Sequence, residues 1–169
     1  LKSLVAVLIT ALLVKIYVGL RFRKIGGVSA ALTAMFALVF DILITFFTCV
    51  IFRLQIDSNY IAVVLTILGY SLNDTIVIYD RVRENSRLAK KATTVNNIAD
   101  NAITNSYWRA INSSVTTLLT ICVLYVMGVD SIKEFALPII VGIVAGTYSS
   151  LFLAAPVWAA WKNSAKKSR

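Results

Sequence analysis

Histidine is absent from this chain of 169 residues, and cysteine occurs only twice. The lack of histidine excludes His-based catalytic triads, most zinc sites and the commonest proton shuttle. Cys49 and Cys122 lie inside apolar stretches, where a small packing role is the expected one. Acidic residues number 8 against 17 basic ones, too few for a hard-metal cage. The sequence therefore predicts no metal site, and any proton chemistry has to use carboxylates.

Apolar residues are in large excess, at 59% of the chain with a mean hydropathy of +0.80. A soluble domain has roughly 45–50% apolar residues, so a lipid bilayer is the expected solvent. The net charge of +9 could indicate a nucleic-acid partner. The basic residues instead fall in short runs between apolar stretches, which favours an anionic membrane surface over nucleic acid. There is no nucleophile elbow, phosphate loop or metal-ligand cluster, so no enzyme activity is predicted.

Five apolar stretches are long enough to cross about 30 Å of hydrocarbon as helices. Backbone groups in lipid must be paired within their own segment, so we predict an all-α bundle forming a single transmembrane domain. Residues 94–107 repeat apolar side chains at helical spacing. They predict a short amphipathic helix on the cytoplasmic membrane surface, although an ordinary solvated loop helix fits the pattern equally well. The predicted spans cover about residues 3–20, 28–52, 59–79, 110–127 and 135–161.

The basic residues also predict orientation. They cluster after the first span, between the third and fourth spans, and after the last one. By the positive-inside rule, the N-terminus lies outside and the C-terminus lies in the cytoplasm. The chain starts with Leu1, directly in an apolar run, so we expect residues to be missing upstream.

Two carboxylates fall at membrane depth. Asp41 lies near the middle of the second span, and Asp74 lies about one and a half turns from the cytoplasmic end of the third. A charged Asp at a helix centre costs about 2.5–3.5 kcal/mol on insertion scales, and such residues often mark ion or proton paths. The alternative is a neutral, hydrogen-bonded Asp that only fixes helix packing. We predict a proton-relay role for both, and more firmly for Asp74.

Asp74 has several candidate partners. Asn73 and Thr75 adjoin it, and Arg109 begins the fourth span on the same side of the membrane. Hydroxyls follow Arg109 on one helical face, which predicts that this face meets Asp74 or a chain of waters. The alternative is that these hydroxyls only hold neighbouring helices together. The residues of this face are Ser113, Thr116, Thr117 and Thr120.

Two further rows of residues repeat at helical spacing. Thr45 and Thr48 follow Asp41 along the second span. Gly142, Gly146 and Ser150 form two small-xxx-small steps in the fifth span, which would let another helix approach closely. We predict a helix-packing role for Gly69 as well.

The run from Gly69 to Asn85, GYSLNDTIVIYDRVREN, resembles the signature of the SecF family of protein-export subunits. SecD, the related subunit, has a different version around its own Asn-Asp pair. Three further segments are similar to the same family: Phe40-Asp41, Arg109–Thr117 and Gly142–Ser150. The resemblance therefore covers nearly the whole chain. The sequence departs from the family pattern at Ser106, Ala110 and Ser113, where Thr is usual, and at Phe40, where His is expected.

The resemblance implies one half of a transporter of the RND superfamily, without its first helix and its extracytoplasmic domain. It implies a bacterial plasma-membrane protein that works with SecD beside the SecYEG channel, with the YidC insertase as a further neighbour. The family uses the proton gradient, with no bound cofactor, to help pull preproteins outward late in translocation. Residues matching Asp74 and Arg109 are implicated in proton coupling. Two alternatives stay open: a structural scaffold linking SecD to the channel, and half of a small-molecule RND exporter.

Overall fold

The computed structural model describes residues 2–89, 93–128 and 130–167. Within these ranges every regular element is helical and no strand occurs, so the prediction of an all-helical protein is confirmed. A π-helical turn, Ser150–Ala154, joins the last two helices into one continuous rod. The α-helices are α1 (Lys2–Arg21), α2 (Gly27–Ile51), α3 (Ser58–Leu88), α4 (Val95–Val126), α5 (Asp130–Ser149) and α6 (Ala155–Lys167).

Four of these segments are long and apolar enough to cross a membrane. Large apolar side chains also cover the outside of the bundle, as expected for a protein in lipid rather than in water; Leu12, Phe36 and Leu119 are each more than half exposed. A membrane role for α1, which forms the first predicted span, stays a prediction. The four segments are Gly27–Ile51, Asn59–Leu88, Val95–Val126 and Phe135–Ala165.

The separate amphipathic helix predicted over residues 94–107 is wrong. These residues form the first turns of α4, which runs unbroken from Val95 to Val126. No Gly or Pro interrupts that stretch, and the Thr94 hydroxyl caps its start by accepting from the Asn97 amide at 3.3 Å. Small residues on its inner face, Ala99, Ala102 and Ser106, are buried in the bundle. The apolar face predicted to rest on lipid therefore packs against protein.

The α3 helix lies at the centre and packs against α1, α2, α4 and α5. It extends nine residues beyond the predicted span, to Leu88, because its charged end continues the helix past the apolar segment. Its start is capped by Asp57, which accepts from the Asn59 amide at 2.8 Å. Arg21 of α1 reaches Asp80 at 3.1 Å and fixes the first helix against the charged end of α3.

Candidate functional site

The inner face of α3 carries three buried polar residues within an apolar helix. Ser71, Asp74 and Thr75 have exposed fractions of 0%, 6% and 2%. Offsets of three and four residues place them on one face of the helix. Asn73 is exposed on another face. The Asn-Asp pair noted in the sequence is therefore divided, with its carboxylate inside the bundle and its amide outside.

Asp41 of α2 is fully buried beside this face. The Ser71 hydroxyl donates to Asp41 Oδ2 at 2.5 Å, which links α2 to α3. Thr45 and Thr48 are buried as well, and each hydroxyl donates at 2.8 Å to a carbonyl of its own helix. The row predicted from Asp41 thus faces the interior. Ser71 was missed by the sequence analysis, because serine is common in membrane helices and carries no signal of its own.

Both buried carboxylates have a free oxygen. Asp41 Oδ1 and Asp74 Oδ2 are inaccessible to solvent and have no hydrogen-bond partner among the described residues. Buried polar atoms are normally paired, so an orphan oxygen marks a place where a proton or a water can bind. The predicted relay carboxylates are therefore both chemically competent to hold a proton.

Arg109 does not form an ion pair with Asp74 in this conformation. None of the ion pairs within 4.0 Å in the described chain joins them, and the Arg109 side chain is exposed on α4. The two predicted partners therefore make no ion pair within the described bundle.

The predicted small-residue row of α5 packs directly on α3. A Cβ added to Gly142 would overlap the Ile67 side chain, and one on Gly146 would lie 3.1 Å from Ser71 Cβ. Both rows advance by four residues, so the glycines of α5 lie opposite Ile67 and Ser71 along the crossing. Gly69 does not share this role. It lies on the outer face of α3, where an added Cβ would meet nothing within 4 Å of the described bundle, so its packing role stays a prediction.

The π-helical turn begins at the end of this row. Ser150 Oγ lies within hydrogen-bond distance of the Gly146 carbonyl (2.7 Å), the Ser71 carbonyl (3.1 Å) and Thr75 Oγ1 (3.1 Å). Single π-turns inside α-helices occur often at functional sites, because they leave carbonyls without their usual i+4 amide partners. The sequence analysis assigned Ser150 to packing and missed this turn. The available signal was the pair Ser149-Ser150 following Gly146 in an apolar helix.

The hydroxyl row of α4 does not converge on Asp74. Thr116 and Thr117 donate to carbonyls of α4 itself at 2.9–3.0 Å, and Ser113 and Thr117 are only partly buried. The hydroxyl in this part of α4 that enters the bundle is that of Ser114, the residue after Ser113. It accepts from Tyr70 at 2.9 Å and contacts Thr147 of α5 at 2.5 Å. It extends a row of small residues at four-residue spacing, Ala102, Ser106 and Ala110, which could have identified it.

No group of three or more Asp, Glu, Cys or His side chains that could hold a metal ion occurs in the described ranges. The polar interior is built instead from carboxylates, hydroxyls and helix carbonyls. Such a set can accept and release protons.

Residues 1–164 match the family described as protein export membrane protein SecD/SecF, C-terminal. The chain is 37% identical to protein translocase subunit SecF of Alicyclobacillus acidocaldarius, covering 98% of this chain and 53% of the relative. It is 39% identical to subunit SecF of Synechocystis sp. (96% and 51%) and 39% identical to subunit SecDF of Bacillus subtilis (96% and 22%). Its fold is similar to the crystal structure of SecDF from Thermus thermophilus, with 35% identity, a TM-score of 0.87, and coverage of 95% of this chain and 22% of that one.

Proposed function

The chain belongs to the SecD/SecF C-terminal family of protein export membrane proteins, and from this premise we propose that it couples the proton gradient to late preprotein export as part of a SecF-type subunit. The chain spans about half the length of its SecF relatives. The proposal therefore concerns the longer protein in which these helices work. Asp74, Asp41 and Arg109 are the proposed proton-coupling residues.

The observation that carries the proposal is the pair of orphan oxygens on Asp41 and Asp74. A protonated carboxylic acid is neutral and can donate, whereas a carboxylate in the same buried place is costly unless a cation faces it. Each Asp can therefore exist in two states that differ in charge and in the partners they need. A guanidinium that approaches a carboxylate favours its charged state, and Arg109 of α4 is the cation proposed to do this for Asp74.

Proton binding to Asp74 would move helices, because its charged and neutral states need different partners. A charged Asp74 attracts Arg109 and with it α4, while a neutral Asp74 releases it. A proton crossing the membrane potential provides about 2.3 kcal/mol per 100 mV, enough to bias a bundle with two states separated by a few kcal/mol. The glycine-lined contact of α5 with α3 and the π-helical turn supply surfaces along which such a shift can occur.

SecD is the proposed partner along the outer faces of α3 and α4. Asn73, Arg109 and Thr116 are exposed there, within helices that are otherwise suited to lipid. Polar groups in hydrocarbon are costly, so a second protein surface is the expected cover. We place this assembly in the bacterial plasma membrane, with the N-terminus of the chain outside and its C-terminus cytoplasmic, beside SecYEG and YidC.

The test is export of a preprotein by cells carrying Asp74→Asn or Asp41→Asn in the full-length protein, with and without an uncoupler. Loss of Asp74 should lower the gradient-dependent part of export by about tenfold or more, since about 1.4 kcal/mol of lost coupling is a tenfold change in rate. Asp41→Asn should have a smaller effect in the same direction. Asp100→Asn is the matched control, because Asp100 is an exposed carboxylate of α4.

Normal export with normal uncoupler sensitivity in Asp74→Asn contradicts the proposal. The scaffold hypothesis predicts another result: less assembled complex, with the remaining complex still stimulated by the gradient. The amount of SecD that copurifies with each variant distinguishes the proton-coupling proposal from the scaffold hypothesis.

A further inference from the structure

A groove of about 650 Å³ lies between α1 and the start of α2, and nothing in the export mechanism uses it. Its walls are apolar side chains from both helices, among them Leu12, Ile16 and Val28. Two cations, Lys15 and Arg23, also line it. The groove therefore combines an apolar trough with positive charge, at the end of the bundle that the basic residues predict to be cytoplasmic.

The groove results from a contact between glycines. A Cβ on Gly27 would overlap the backbone carbonyl of Gly19, so α1 and the start of α2 touch backbone to backbone at this point. A Cβ on Gly19 would instead meet nothing within 4 Å. Gly19 thus leaves an open space in the groove that a larger side chain would fill.

The charge in the groove is uncompensated. Lys15 and Arg23 are exposed, and neither takes part in any ion pair found among the described residues. No acidic residue is among those that line the groove. The first turn of α2, which adjoins it, contains no acidic residue and has no side-chain cap, so its amide groups add to the positive potential.

We propose that this groove binds one anionic phospholipid, with its phosphodiester head between Lys15 and Arg23 and an acyl chain along Leu12 and Ile16. Basic pockets between membrane helices on the cytoplasmic side are suited to anionic head groups. A lysine stem at this place can lie along the apolar wall while its ammonium extends toward the head-group layer. An apolar protein helix in the same place would leave both cations without a counter-ion, which is why a lipid is the occupant that fits.

The charge test uses native mass spectrometry of the purified full-length protein, titrated with phosphatidylglycerol or phosphatidylcholine. The wild type should bind phosphatidylglycerol more tightly than phosphatidylcholine. Lys15→Gln and Arg23→Gln should each weaken phosphatidylglycerol binding by about fivefold, since each cation near a lipid surface contributes about 1 kcal/mol. The control is Lys24→Gln, which removes a neighbouring exposed cation that does not line the groove and should leave binding unchanged.

The shape test keeps every charge and fills the groove. Gly19→Leu should reduce phosphatidylglycerol binding, whereas Gly69→Leu, at an equally open glycine on α3, should not. The proposal is overturned if the charge variants bind phosphatidylglycerol like the wild type. It is also overturned if Lys24→Gln weakens binding as much as Arg23→Gln does, or if Gly19→Leu leaves binding unchanged. The first and third results would mean that another part of the protein occupies the groove, and the second that only the general surface charge acts.

Discussion

Tyr79 is the largest side chain that the bundle buries completely. Its hydroxyl contacts Thr33 of α2 at 2.7 Å and donates to the Ala154 carbonyl of the π-helical turn at 3.2 Å. Its ring meets Phe22 edge-on, with centroids 5.6 Å apart. One residue of α3 thus ties together the loop after α1, the second helix and the turn that follows α5.

Tyr79→Phe should therefore destabilise the fold while keeping its shape. The substitution leaves the ring contact with Phe22 and removes only the hydroxyl, so the Thr33 hydroxyl loses its cross-helix partner. We expect the free energy of unfolding in bicelles to fall by about 0.5–2 kcal/mol, the range of hydrogen bonds inside membrane bundles. Tyr17→Phe is the control, because Tyr17 is half exposed and its hydroxyl makes no contact within hydrogen-bond distance in the described chain. Equal effects of the two variants would show that the Tyr79 hydroxyl contributes no net stability.

The contact of α3 with α5 shows how element geometry depends on small residues. Gly142 and Gly146 occupy successive turns of α5 and let α3 approach until Ile67 and Ser71 fill the space where a Cβ would stand. Without a hydrophobic driving force between helices in lipid, close van der Waals contact of this kind is a main source of association. The same closeness places the Ser150 hydroxyl against the Ser71 carbonyl.

Gly142→Ala should consequently separate α5 from α3. We expect a loss of about 1–3 kcal/mol in unfolding free energy, the usual cost of overpacking, measured by steric trapping of the full-length protein. Gly69→Ala is the control, since a Cβ there meets nothing within 4 Å and alanine is the better helix former. Combining Gly142→Ala with Ile67→Val should recover part of the loss, because the two sites touch. Strict additivity of these two substitutions would contradict the proposed contact.

At the scale of the whole molecule, the exposed surface is of two kinds. Most of it is apolar and suited to lipid, as at Phe36 and Val39 of α2. Besides Lys15 of α1, exposed polar groups lie within the spans of α3 and α4, among them Asn73 and Arg109. The difference between the two surfaces is the physical argument for a protein partner on one side of the bundle only.

This argument predicts the outcome of cross-linking. A photo-reactive amino acid placed at Asn73 or Thr116 of the full-length protein should cross-link to SecD in membranes. The same amino acid at Phe36 or Val39 should give little or no SecD adduct, because those positions face lipid. Equal cross-linking from both pairs would contradict a partner confined to the α3 and α4 faces.

The sequence by itself determined the family, the helical class, the position of Asp41 and Asp74 inside apolar helices, and the small-residue row of α5. These features are local. An apolar run, a charged residue within it and a fixed residue spacing can all be recognised without knowing which helices pack together. The family resemblance drawn from the Gly69–Asn85 run is confirmed by the match over residues 1–164.

Only the tertiary structure decided which hydroxyls meet the carboxylates. Ser71 rather than the Ser113–Thr117 row binds a buried Asp, and Ser114 rather than Ser113 enters the bundle. Successive residues on a helix lie about 100° apart, so the rotation of each helix against its neighbours selects between adjacent residues that are alike in the sequence. That rotation is set by close contacts such as Gly142 on Ile67, which join residues 75 positions apart and leave no local trace.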